Sequence, residues 1–300
     1  MQPGHPPADR DSGASAPESR PWLGFGLGLR TEYFEELLAA PALPVDWFEI
    51  TSENFMVAGG KPRHYLERIR QRWPLVMHGV SLSIGSSDPL DMDYLQGLRQ
   101  LAREIEPAWI SDHLCWTGVD GINSHDLLPL PYSETAIALV VSRVQQVQDY
   151  LGREILLENL SSYVEFRQSE MPEWEFVAEV ARRSGSRILL DVNNIQVSAR
   201  NQGFDPHAYL DGIPSDRVWQ IHLAGHSDYG DYCIDTHDHD VPSEVWALYG
   251  CAIRRFGAVS TMIERDDDFP PLAELLGELE LARAAFAHAR ATPDAQSQAA

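Results

Sequence analysis

Eight apolar runs of strand length, separated by stretches with helical periodicity, constrain this chain more than any other feature. The runs are LGFGLGL (23–29), VDWFEIT (45–51), PLVMHGVSLSI (74–84), AWISDHLCW (108–116), EILLENL (154–160), RILLDVNNI (187–195), VWQIHLAGH (218–226) and AVSTMIERD (258–266). They are near-continuous rather than alternating, as in parallel strands buried on both faces. Between them, DMDYLQGLRQLAREIE places Leu95, Leu98, Leu101 and Ile105 on one helical face. SETAIALVVSRVQQVQDYL opens with a Ser-Glu cap and closes before Gly152, and PEWEFVAEVARRSG runs from proline to glycine, as helix ends do. SEVWALYGCAIRRFG repeats the pattern, and PPLAELLGELELARAAFAHA supplies a long final helix.

Eight strands alternating with helices is the count of an α/β (β/α)8 TIM barrel in a single domain, here expected over residues 22–288. A doubly wound open sheet would want a glycine-rich phosphate loop after its first strand, and GFGLGLR lacks the GxGxxG spacing. Residues 1–21 and 289–300 are rich in Pro, Gly, Ser, Ala and charge and read as disordered tails. The N-terminus has neither the basic nor the apolar region of a secretory signal, and no run reaches membrane-span length, so a cytoplasmic chain with no membrane contact is expected. The formal net charge of -22 argues against a nucleic-acid partner, which would need clustered Lys and Arg. Cys115, Cys233 and Cys251 are odd in number and lack metal-type spacing. Cys233 reads as a small buried hydrophobe rather than a soft ligand.

Active sites of such barrels lie at the C-terminal ends of the strands. There the chain places Glu53 and Asn54 (strand two), His78 (three), Asp112 and His113 (four), Glu158 and Asn159 (five), Asp191, Asn193 and Asn194 (six), His222 and His226 (seven), and Glu264, Arg265 and Asp266 (eight). Carboxylates are costly inside apolar runs such as ILLEN, ILLDVNN and TMIER, and several on one rim repel one another unless cations compensate. A metal cluster is the simplest compensation. Imidazole with carboxylate suits iron, manganese or zinc. Strand adjacency puts Glu158, Asp191, His222 and Glu264 around one ion and His78 and His113 around a second, with Glu158 able to bridge. Asp235 and His237, an Asp-x-His pair in the loop after strand seven, make a third and weaker site with Asn193. His226, Asp228, Asp231, Asp238, His239 and Asp240 fall outside these sets.

At this point the chain resembles a known family. SENFM, VMHGVSLSIG, SDHLCW, HDLLPLPYSET, LLENLSSY, LLDVNNI, IHLAGH, IDTHDHDVPSEVWALY and MIERDDDFPPLAELL are similar to strings of the multinuclear non-heme iron-dependent oxidative enzymes, xylose-isomerase-like barrels. The resemblance runs from about residue 22 to 285. It implies two or three iron ions in mixed Fe(II)/Fe(III) states and dioxygen as co-substrate. The implied reaction is oxidative modification of cysteines in a ribosomally synthesised precursor peptide, as in methanobactin biosynthesis, with a small partner protein engaging the leader. The family's ligands match His78, His113, Glu158, Asp191, Asn193, His222, Asp235, His237 and Glu264, the set the barrel argument selects. Asp112, Asn159 and Arg265 are the candidate catalytic groups supporting them, although Asp112 and Arg265 read equally well as rim salt-bridge partners. His125, before DLLPLP, stands where many relatives carry asparagine.

Three rivals share parts of this pattern. A divalent-metal sugar isomerase or epimerase has the same Glu, Asp, His, Glu ligands but relies on a lysine near the metals. The only lysine is Lys61, between GG and P after strand two. A zinc endonuclease of abasic DNA is disfavoured by the charge. A metal-binding subunit without catalysis is the third.

Overall fold

The protein is described by a computed structural model, covering residues 20–57 and 59–292. The eight apolar runs form a closed parallel barrel. Its strands, one to eight, are Phe25–Gly28, Trp47–Thr51, Leu75–Gly79, Ile110–His113, Leu156–Glu158, Arg187–Asp191, Val218–Leu223 and Ser260–Ile263. Each pairs with its chain neighbour, and strand eight closes on strand one through Phe25↔Thr261. This is the expected (β/α)8 architecture.

Side chains alternate along each strand, and the two faces do different work. Outward residues such as Phe48, Ile50, Leu75, Met77, Leu157 and Leu190 join the helices in the main core. Inward residues come in two levels. Trp47, Val76, Trp109, Leu156, Leu189, Trp219 and Met262 form a separate apolar floor inside the barrel. Two residues further along, Glu49, His78, Glu158, Asp191 and Glu264 follow Trp47, Val76, Leu156, Leu189 and Met262. The indoles of Trp47 and Trp109 meet edge to face, 6.0 Å between centroids. Gly26 on strand one makes room for them, since a Cβ there would lie 2.4 Å from the Trp47 ring.

The expected helices form as Met92–Ile105, Glu134–Leu151, Glu173–Ser184, Ser243–Phe256 and Leu272–Ala291. Ser133 Oγ accepts from the Ala136 N–H, and Gly152 stops that helix in the left-handed conformation. The final helix continues past residue 288, and Arg20 is tied to the barrel by donating to the carbonyls of Val218 and Phe256. The rest of both expected tails, residues 1–19 and 293–300, lies outside the described residues. Strand six is shorter than its apolar run. Asp191 Oδ1 accepts from the Asn194 N–H at 2.6 Å and caps a helix, Val192–Gln202, that begins at once. Two hairpins add to the rim: Trp116–Val119 with Ile122–Leu128 after strand four, and Ser227–Asp228 with Cys233–Ile234 after strand seven. No described helix is long and apolar enough to cross a membrane.

Candidate metal centre

Strands five to eight bring four buried side chains to one point: Glu158, Asp191, His222 and Glu264. His222 Nδ1 lies 2.9 Å from Glu264 Oε2, 3.5 Å from Glu158 Oε1 and 4.0 Å from Asp191 Oδ2. Its other nitrogen faces Glu49 Oε1 at 3.2 Å. Glu49 also accepts from the Gln220 amide, whose orientation is set by the Trp109 indole donating to Gln220 Oε1. The Gln220 amide nitrogen also lies 2.7 Å from His222 Nε2, so Glu49 and Gln220 together anchor that side of the ring and leave Nδ1 facing three carboxylates. Such an assembly suits a cation, because a carboxylate behind a ligating imidazole fixes its tautomer and raises its basicity.

His78, His113 and Glu158 form a second buried group. Ser111 gives its own hydroxyl hydrogen to the Met77 carbonyl, so its oxygen accepts from His78 Nδ1–H at 2.8 Å. His113 Nδ1–H donates to the Gly79 carbonyl at 3.1 Å. Both rings therefore aim Nε2 at the same atom, Glu158 Oε2, at 3.2 and 3.3 Å. Neutral imidazole lone pairs and a carboxylate oxygen pointed at one another repel unless a cation lies among them. Glu158 belongs to both groups and stands where a bridging ligand would.

The loop after strand seven carries the third group. It crosses back over Gly225, whose carbonyl accepts from the His237 N–H at 3.1 Å, and a Cβ at Gly225 would lie 2.2 Å from the His239 carbonyl oxygen. That close approach explains the glycine in IHLAGH. His237 itself takes the left-handed backbone region (φ 51°). Its Nε2 is 2.7 Å from Asp235 Oδ1 and its Nδ1 is 3.1 Å from Asp266 Oδ2 and 3.5 Å from Glu264 Oε2. Asn193 donates to Asp235 Oδ1 at 2.7 Å, while its own oxygen faces His226 Nδ1 at 2.7 Å. The structure thus places Asn193, Asp235 and His237 in contact, but the carboxylates that gather with His237 at metal-ligand spacing are Glu264 and Asp266, and the Asn193 oxygen is turned to His226.

A test of the fit comes from buried polar atoms that have no hydrogen-bond partner among the described residues. Glu158 Oε2, Asp191 Oδ2, His222 Nδ1 and His237 Nε2 are four of them. Native proteins leave few such atoms, and each costs about 1–3 kcal/mol when nothing satisfies it. These four all face the points where the three groups converge. The same groups also shift one another's proton affinity. Burial alone would raise Glu158, but His113, His222 and His78 outweigh it and hold the carboxyl at about 2. Asp191 is pushed well above the ordinary carboxylate range by burial and by Glu158. Burial opposes charge on His222 and His237, yet Glu49 and Glu264 around the first, and Asp235 and Glu264 around the second, pull both well upward. The buried His, Glu and Asp groups are consistent with a multinuclear metal site.

A cavity of about 270 Å³ opens onto this assembly, lined by His78, His113, Glu158, His237 and Glu264 below and by Leu127, Leu160, Ser161 and Tyr163 around its mouth. Of the three candidate supporting residues, Asn159 clamps strand six: its amide donates to the Asp191 carbonyl and accepts from the Asp191 N–H, both at 2.9 Å. Asp112 sits behind His113, accepting from the His113 and Leu82 N–H groups and from Tyr94, and burial with the neighbouring Glu53 raises it to about 7. Arg265 points away from the cavity, into ion pairs with Asp240 (2.9 Å) and the buried Glu278 (3.2 Å). His125 lies on the exposed hairpin strand, next to Asp126 and Leu127 that do line the cavity. Cys233 is buried and belongs to none of the three groups. Sequence reasoning missed Glu49, Ser111, Gln220 and the approach of Asp266 to His237. Glu49 carried the signal already applied elsewhere, a carboxylate inside an apolar strand (WFEIT).

Known proteins share this architecture. A UPF0276 protein of Anaeromyxobacter sp. (strain Fw109-5) is 60% identical over 260 residues, covering 87% of this chain and 92% of that protein. A UPF0276 protein of Caulobacter vibrioides is 55% identical over 271 residues, covering 90% and 97%. Among solved structures, L-ribulose 3-epimerase superposes with a TM-score of 0.61 at 12% identity (92% and 98% covered). Endonuclease IV from Thermus thermophilus gives 0.59 at 17% (89% and 100%). At those identities the likeness is one of fold, the xylose-isomerase-like TIM barrel. The model of the RiPP precursor modification enzymes MbnB/TglH/ChrH matches residues 24–287, and the chain belongs to that family.

Proposed function

We propose that this protein is a di- or tri-iron, dioxygen-dependent enzyme that oxidatively modifies cysteine residues of a ribosomally synthesised precursor peptide. The observation that carries the reading is the set of partnerless buried ligand atoms on Glu158, Asp191, His222 and His237, converging below a cavity large enough for a side chain. His78, His113 and Glu158 would hold one iron; Glu158, Asp191, His222 and Glu264 a second; Asn193, Asp235 and His237 an outer third. Iron bound there supplies redox chemistry with dioxygen and a position at which a cysteine thiol loses its proton.

The chain's own residues do the rest. Ser111 and the Gly79 carbonyl lock the two upstream imidazoles with Nε2 inward, and Glu49 and Gln220 anchor Nε2 of His222 so that its Nδ1 faces inward. Asn159 fixes the backbone that carries Asp191. Leu127 and Leu160 give the cavity apolar wall beside its polar groups. Recognition of the leader falls to a small partner protein in this reading.

Anaerobic loading with ferrous iron, then exposure to dioxygen with a cysteine-containing peptide from a neighbouring gene, tests it by mass spectrometry. The expected result is a mass change that needs iron, dioxygen and the cysteine. A protein that takes up iron but leaves every such peptide unchanged would overturn the assignment. Purified protein holding zinc or manganese, and inactive with iron, would move the reading toward a metal-dependent barrel of another chemistry.

A further inference from the structure

The loop after strand five lines two cavities. Ser161 and Tyr163 border the metal cavity, and the next residues, Val164 to Arg167 with Ser169 and Met171, border a second one of about 590 Å³. Tyr163 and Val164 form an exposed ridge between them, 52% and 55% accessible. The second cavity is walled by four aromatic side chains, Tyr132, Phe166, Trp174 and Phe204. Trp174 meets Phe204 at 5.5 Å and 58°, so the rings form the corner of a box rather than a stack.

Glu173 also lines this cavity, and it is 8% accessible. Its carboxyl accepts from the Tyr209 hydroxyl at 3.1 Å and from Tyr132. Those two hydroxyls are the groups that act on it, and neither neutralises its charge. Burial accordingly pushes it up to about 7. Glu165 and Arg167 also line the cavity from exposed positions with opposite charges, so the buried Glu173 carboxyl among aromatic walls decides the ligand chemistry: an apolar stem ending in an ammonium or guanidinium group. Ring faces attract the cation, and the stem covers apolar surface. The chain's net charge of -22 draws such a group from a distance.

We propose that this second cavity is a subsite for a cationic group of the bound peptide, a lysine or arginine side chain a few residues from the one in the metal cavity. The assignment rests on the peptide-modifying reading above. Continuity of the loop Ser161–Met171 makes the link, because one extended peptide crossing the Tyr163–Val164 ridge reaches both cavities.

The test is binding by the metal-loaded full chain of four probes, followed by NMR: N-acetyl-lysine amide, N-acetyl-arginine amide, N-acetyl-norleucine amide, and norleucine amide with a free α-amine. The lysine and arginine probes should bind about tenfold more tightly than N-acetyl-norleucine amide, the discrimination of a desolvated cation–aromatic contact. Glu173→Gln should erase that preference while metal content is kept and the melting temperature stays at or above that of wild type. Phe166→Leu, at a half-exposed loop position, should weaken both cationic probes about threefold. Equal binding of the neutral probe, or an unchanged preference in Glu173→Gln, overturns the subsite. A preference for the free α-amine over both side-chain cations overturns the side-chain assignment and gives the cavity to a peptide N-terminus. These readouts need no turnover, so failure of the iron chemistry would show separately as an absent mass change.

Discussion

Ser111→Ala isolates the contribution of one hydroxyl to the metal centre. Ser111 is buried, accepts from His78 Nδ1–H at 2.8 Å and donates to the Met77 carbonyl at 3.2 Å. Alanine removes the acceptor and leaves a buried Nδ1–H without one. A net hydrogen bond is worth about 1 kcal/mol, and the stranded donor adds a desolvation cost of about 1–3 kcal/mol. The ring can escape that cost only by turning, or by moving its proton to Nε2, and either takes the lone pair away from Glu158. Outer partners of this kind are worth about 10–100-fold in metal affinity, or roughly 1.4–2.7 kcal/mol. The loss should be confined to the ion held by His78, His113 and Glu158. Chelator competition with redox-silent zinc reads the sites separately: one class should weaken by that factor while the other keeps its affinity. Melting of the metal-free protein should fall by about 2–4 °C per kcal/mol lost. Wild-type affinity at every site, with melting unchanged, would refute the reasoning that Ser111 sets the His78 tautomer.

Other perturbations separate the parts of the molecule. Glu158→Gln removes the carboxylate that both inner groups share, so elemental analysis should show both inner ions depleted together rather than one. Gly225→Ala forces a Cβ to 2.2 Å from a backbone oxygen; the loop bearing Asp235 and His237 must lift, and the outermost ion should be lost first in a dialysis series. Arg265→Ala strands the buried Glu278, which should cost about 3–5 kcal/mol in denaturant unfolding with metal stoichiometry unchanged. Glu173 has its folded-state value raised to about 7 from the ordinary 4.5. The folded protein thus binds the extra proton, and stability falls as pH climbs from about 4.5 to 7. Glu173→Gln should match wild type at pH 4.5 and exceed it above pH 7 by up to roughly 3 kcal/mol; equal pH profiles in urea titrations would contradict the burial argument.

The barrel was legible because buried parallel strands leave long apolar runs, and eight of them spaced by helices admit few closures. The buried carboxylates of the inner groups were legible for a related reason: a carboxylate within ILLEN, ILLDVNN or TMIER is expensive unless something holds it there. Glu49 obeys the same rule but sits mid-strand, one level below the rim, and attention to strand ends passes over it. Ser111 and Gln220 look like ordinary polar residues until register sets them under His78 and beside His222. The helix after Asp191 was hidden because VNNI carries apolar and polar residues compatible with either state, and the cap from Asp191 decides it. Arg265 was open to two readings, a role beside the cavity or a rim salt bridge. Its place next to Glu264 suggested a role at the cavity, but alternation turns neighbouring side chains to opposite faces, and its ion pairs form in the outer layer instead.

The two inward levels of the barrel have a consequence for how errors in assembly are detected. Because side chains alternate, a slip of one residue in strand five would swing Glu158 into the helix layer and carry Leu157 into the site. The same holds for Asp191 and Glu264. Correct register in several consecutive strands is therefore a precondition for a complete coordination set. Metal capture would then act as a proofreading step on folding: only the correctly threaded barrel would gain the free energy of the ions. Species with a displaced strand stay metal-poor, open sooner, and are the ones exposed to proteolysis.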